Sequence, residues 1–162
     1  MRRAWPLCLL ALAFLPATAQ EQRKVPEGFE YWSAASLKDT QQQLAKEAAS
    51  NETHLGLRRF AEFPNDLSMV AHREADGQPE LHETQADVFV AVSGSATLIA
   101  GGTLVGAKMT EPHELRNGTI QGGMRQKLSP GDIVRIPAKT PHQVVLDGAN
   151  EFTYFVVKVK GY

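Results

Sequence analysis

The chain has 162 residues, 43% apolar and 22% charged, a make-up that excludes a disordered protein. Its length suits one domain with a real core. Seventeen Lys and Arg against eighteen Asp and Glu give a formal charge of −1, so no basic excess exists to neutralise phosphates, and a nucleic-acid partner is not expected.

Residues 1–19 read as a cleavable export signal. Arg2 and Arg3 form a basic start, Trp5 to Leu15 an apolar run, and Ala17-Thr18-Ala19 a small-x-small cleavage site. A helix over that run is about 16 Å long, too short for a hydrocarbon core of roughly 30 Å, so no stable membrane insertion is expected after signal removal. Cleavage near Ala19 predicts a secreted or periplasmic protein. Cys8, the only cysteine, leaves with the signal, which excludes disulfides, thiolate nucleophiles and sulfur-ligated zinc from the mature chain. Without Arg2 and Arg3 fifteen basic residues face eighteen acidic ones.

Residues 20–52 are expected to form an N-terminal arm and a helix. The stretch 20–35 is polar and irregular, with Pro26 and Gly28. Ser36 suits an N-cap, and Leu37, Leu44, Ala45 and Ala48 recur at helical spacing to about Ser50. Because the apolar stripe is thin, this helix is expected on the outside of a larger body.

Residues 53–162 change character. Short apolar runs recur at Leu67–Arg73, Asp87–Val92, Ala96–Ala100, Ile133–Ile136, Val144–Leu146 and Phe152–Val159. Turn signals separate them, among them Ser93-Gly94, Gly101-Gly102, Asn117-Gly118, Pro130-Gly131 and Asp147-Gly148. Many short strands with one helix predict an all-β sandwich or barrel. The stretch 108–123 shows little periodicity and is expected to be a lid or functional loop.

Five histidines follow the signal: His54, His72, His82, His113 and His142. Glu80 and His82 are two residues apart, so on a strand both side chains share one face. His142 starts a run in which Val144 and Leu146 share its side, which turns its imidazole inward. His72 is expected to pack or to line a pocket, and His113, beside Glu111 and Glu114, to belong to a solvated charge cluster. Of Arg58, Arg59 and Arg135, most are expected outside, with one able to turn inward toward a carboxylate. Phe89, Phe152, Tyr154 and Phe155 read as core or pocket wall. No Gly-x-Ser-x-Gly elbow and no phosphate-cradling Gly-x-x-x-x-Gly-Lys loop is present. A paired-carboxylate glycosidase built on Glu80 and Asp87 is favoured by neither spacing nor context.

The spacing Glu80-x-His82-x4-Asp87-x6-Gly94, followed by Gly131-x5-Pro137-x4-His142, resembles the paired motifs of the cupin superfamily. The resemblance implies an all-β double-stranded β-helix, a jelly-roll or cupin barrel with one N-terminal helix, and a divalent metal held in the barrel mouth. The family's first-motif histidines fall on Glu80 and His82, its glutamate on Asp87, and its second-motif histidine on His142. Glu80 replaces a histidine, Asp87 is one methylene shorter than glutamate, and Lys139 and Leu146 stand where glycine and asparagine are usual. Two imidazoles with a carboxylate suit Fe, Mn, Ni or Zn. The expected ligands are His82, Asp87 and His142, with Glu80 as fourth ligand or as the acid–base group. The expected function is a metal-dependent isomerase, lyase or dioxygenase acting on a small polar organic molecule. A non-catalytic module binding a sugar or organic acid is the alternative. A homodimer is expected from the same resemblance.

Overall fold

The computed structural model describes residues 24–162, so the export signal expected over residues 1–19 lies outside the described residues. Among the described residues one helix, α1 (Ala34–Ala49), precedes thirteen strands that run from Leu55 to Lys160. Helix α1 starts three residues earlier than its spacing predicted. The Ser33 hydroxyl accepts the Ser36 N–H at 3.1 Å, which makes Ser33 the N-cap and places Ser36 within the first turn.

The first sheet has five antiparallel strands in the order β1-β2-β13-β4-β11: β1 is Leu55–Glu62, β2 Asp66–Arg73, β13 Phe152–Lys160, β4 Gln85–Gly94 and β11 Ile133–Ile136. The second has the order β10-β5-β12-β3-β8-β7: β10 is Met124–Leu128, β5 Ala96–Ala100, β12 His142–Val145, β3 Glu80–His82, β8 Glu114–Arg116 and β7 Lys108–Glu111. Strands β6 (Thr103–Val105) and β9 (Thr119–Gln121) pair separately. The stretch 108–123 is therefore strand-rich rather than an irregular loop. Its strands are only three or four residues long, too short for a periodicity to show.

Alternation along each strand separates two faces. Leu67, Met69 and Ala71 of β2, Phe89 and Ala91 of β4, and Phe152, Tyr154 and Val156 of β13 join Leu98, Leu128, Ile136, Val144 and Leu146 in one core between the sheets. The opposite face of the five-stranded sheet carries α1, whose Leu44 and Ala48 are buried. Gly56 permits that contact, since a Cβ there would stand 2.3 Å from the Leu44 carbonyl oxygen. Trp32 closes this outer face against Phe60 and Phe155, with ring centroids 5.2 and 5.5 Å away. Phe155 thus anchors the arm and does not line the pocket, because its odd position in β13 points it outward. Among the described residues, no helix is long and apolar enough to cross a membrane.

Candidate metal centre

Strand register brings the expected residues together. His142 lies opposite Glu80 across β12 and β3, and Glu80 and His82 share a face of β3. Asp87 comes from β4 in the facing sheet. One ligand atom from each of Glu80, His82, Asp87 and His142 lies within 4.8 Å of the other three. His82, Asp87 and His142 are almost fully buried.

Three further residues, absent from the sequence reading of the site, complete it. Across β3 and β8, Arg116 faces Glu80 and Glu114 faces His82. Arg116 donates to Glu80 at 2.5 Å, and His82 Nδ1 and Glu114 Oε2 are 2.5 Å apart. Glu114 is therefore a buried partner of His82, while His113 sits outside it, paired with Glu83. The third is Lys158, directly opposite Asp87 across β13 and β4. Its ammonium lies 2.9 and 3.0 Å from the two Asp87 oxygens and 2.8 Å from His82 Nε2.

The Glu114 carboxylate accepts from His82 Nδ1–H, and His82 Nε2 faces both the Lys158 ammonium at 2.8 Å and Asp87 Oδ2 at 3.2 Å. His142 Nδ1–H donates to the Thr140 carbonyl at 3.0 Å, which leaves Nε2 facing inward. That Nε2 is buried without a hydrogen-bond partner, 3.4 Å from Glu80 Oε1 and 3.5 Å from Asp87 Oδ2. Both rings thus direct Nε2 at two carboxylates, with Nδ1 held by an oxygen behind, the arrangement that orients imidazoles toward a metal.

The same geometry shifts the titrations. Burial opposes ionisation of Asp87, but the facing His142 and His82 imidazoles, 3.5 and 3.2 Å away, and the Lys158 charge outweigh it and hold the carboxyl well below its usual range. Glu80 is likewise held low against its burial, by His142, Lys158 and Arg116. Burial disfavours a charged His142, yet Asp87 and Glu80 push its pKa up to about 9. The carboxylates of Glu80, Asp87 and Glu114 are faced by Arg116, by Lys158 and by the two rings of His82 and His142, whose pKa values are both raised.

The donor set fits a first-row divalent ion. Atoms bound at about 2.0–2.2 Å to one ion lie roughly 3–4.4 Å apart, close to the spacing here. Lys158 is the competing positive group.

A cavity of about 550 Å³ opens beside these residues. Apolar side chains of Leu57, Met69 and Phe89 line part of it, and Arg73, Arg116, Glu111 and Lys158 supply charge. Arg73, which donates to the Tyr154 hydroxyl at 2.9 Å, and Arg116 both line it. Of the three arginines singled out from the sequence, Arg59, paired with Glu62, lines the cavity as well, whereas Arg58 pairs with Glu47 of α1 and Arg135 with Tyr162. His72 is fully buried but on the outer face. Alternation in β13 was the available signal for Lys158, since Phe152, Tyr154, Val156 and Lys158 occupy one face.

No protein-family model matches the sequence, and no curated protein is similar to it in sequence. Solved structures are similar in fold. TT1209 from Thermus thermophilus gives a TM-score of 0.51 at 18% identity, over 74% of this chain and 92% of that one. The cupin domain of Cnp3 from Schizosaccharomyces pombe gives 0.50 at 9% identity, over 67% and 66%. KdgF from a Halomonas species gives 0.48 at 18% identity, over 68% and 83%. Two facing sheets, motif residues meeting between them and the likeness to a cupin domain make this chain a cupin in fold, a double-stranded β-helix with one N-terminal helix.

Proposed function

We propose that this is an exported cupin that holds a divalent first-row metal with His82, Asp87, His142 and Glu80 and takes a small polar organic molecule into the adjoining cavity. The single observation behind this reading is the pair of imidazoles. Both turn Nε2 toward two carboxylates, and both have Nδ1 held from behind by Glu114 or Thr140. A bound divalent ion would supply Lewis acidity to an oxygen of the ligand. The chain's own groups do the rest. Arg116 and Arg73 offer fixed donors to an anionic or hydroxylated ligand, and the buried Met69 and Phe89 give one side an apolar wall. Glu80, ionised and held by Arg116, has no proton to donate and is a ligand rather than an acid. These features support a metal-dependent enzyme of the isomerase, lyase or dioxygenase kind. The export signal and a homodimer belong to the same proposal, tested by N-terminal sequencing of the mature protein and by light scattering.

Lys158 favours a second reading, a binding module that works without metal, because its ammonium already satisfies Asp87 and His82. The test is metal analysis and calorimetry on purified protein, with His82→Ala and His142→Ala alongside. One tightly held ion, lost in both variants, supports the first reading. A preparation that takes up no ion at pH 7 overturns it.

A further inference from the structure

We propose that Lys158 is a built-in counter-cation for the four-ligand cup, so that a divalent ion binds only by displacing its ammonium and holds less tightly for that reason. The inference rests on the metal-binding reading above and adds a residue that sets the affinity of that site.

Three observations carry it. First, the contact is dictated by the backbone. Phe152, Tyr154 and Val156 are the buried inward positions of β13, Lys158 is the next in the same alternation, and register sets it directly opposite Asp87. Second, the ammonium engages ligand atoms themselves: His82 Nε2 at 2.8 Å and both Asp87 oxygens at 2.9 and 3.0 Å. An imidazole nitrogen has one lone pair. His82 Nε2 therefore serves the ammonium or a metal, never both at once. Third, the group can leave. Lys158 lines the cavity, its side chain is 13% exposed, and its four-carbon stem is flexible.

Charge points the same way. Three carboxylates, Glu80, Asp87 and Glu114, meet the cations of Arg116 and Lys158. Bringing a doubly charged ion beside an ammonium that stays nearby costs repulsion in a poorly solvated site. A neutral side chain at position 158 removes both the competitor and that repulsion. The consequence is a folded, charge-satisfied resting state without metal, and an ion that exchanges rather than one locked in.

The test compares the full mature chain with Lys158→Met, which keeps the length and apolar bulk of the stem. Both are stripped with chelator and titrated with Zn2+ and Co2+ by calorimetry, and the visible absorption of bound Co2+ reports the ligand set. We expect Lys158→Met to bind one ion at least tenfold more tightly than the unaltered chain, with the gain abolished by adding His82→Ala. Equal affinities overturn the inference and leave the metal site standing. Weaker binding by Lys158→Met overturns it too, since Lys158 would then support the site. No binding by either protein overturns both this inference and the metal-binding reading. A second measurement needs no variant: reductive methylation of the unaltered chain, read by mass spectrometry. Zn2+ should raise labelling of Lys158 severalfold while Lys160, paired with Glu62, stays constant. Labelling of Lys158 unmoved by bound Zn2+ overturns the inference.

Discussion

Histidines are buried against both faces of the five-stranded sheet, those of the facing sheet on the inner side and one of its own on the outer, with opposite outcomes. On the inner face, His82 meets His142, Asp87 and Glu80 within 4.8 Å. On the outer face, His72 is fully buried beside Thr153, at 2.8 Å, with Glu74 at 3.5 Å and Glu151 at 4.0 Å. His72 pairs in register with Gly56, the residue against which α1 rests, so a helix backbone packs there in place of a second sheet. Burying a histidine does not make a site. Convergence does, and it needs ligands from elements that face one another across the core.

The largest expected effect tests that difference directly. His142→Ala or His82→Ala should lower Zn2+ affinity by at least about a hundredfold, whereas His72→Ala should leave it within about twofold, as measured by calorimetry. Comparable losses at all three positions would erase the distinction between the faces. Glu114→Gln sharpens it, because Glu114 holds His82 Nδ1 from behind at 2.5 Å, whereas Glu74 stands 3.5 Å from His72 Nε2. Affinity should fall about tenfold to a hundredfold, and Glu74→Gln should change nothing.

Gly56→Ala tests the outer face alone. A Cβ within 2.3 Å of the Leu44 carbonyl oxygen must push α1 away, costing about 1–3 kcal/mol in urea unfolding. Zn2+ affinity should not move. The inner face also carries its own pH signature without metal. The folded-state pKa of His142 is raised from 6.5 to about 9, so its contribution is complete below 6.5 and is lost as pH climbs to about 9. The melting temperature of the stripped protein should fall by a few degrees across that window, and His142→Gln should flatten the fall. The smallest effect concerns Lys139, whose φ of +62° strains a position where its N–H donates to the His82 carbonyl at 2.7 Å. Lys139→Gly should stabilise the protein by up to about 1 kcal/mol in the same urea assay, without altering metal affinity.

Much of the barrel could be read from local pattern. Glu80 and His82, two residues apart, had to share a face once extended, and His142 had to follow Val144 and Leu146 inward. The spacing of the paired motifs selected Asp87 as well. The stretch 108–123 was harder, since strands of three or four residues complete too few alternations to be distinguished from a loop. That hid Glu114 and Arg116, which reach His82 and Glu80 only through the pairing of β3 with β8. Phe155 looked like core because aromatic character does not say which face of a strand a residue takes.

The sequence by itself determined the kind of protein: an all-β chain with one helix, no cysteine beyond residue 8, and four ligand-type side chains at cupin-like spacing. Only the tertiary structure decided what surrounds those four. Lys158 lies 71 residues from Asp87 and 76 from His82, and it becomes their neighbour solely because β13 pairs with β4 beneath the facing sheet. Periodicity reports which face a residue takes, a property of its own strand, whereas contact across the core depends on how separate strands align, which no single stretch of chain encodes.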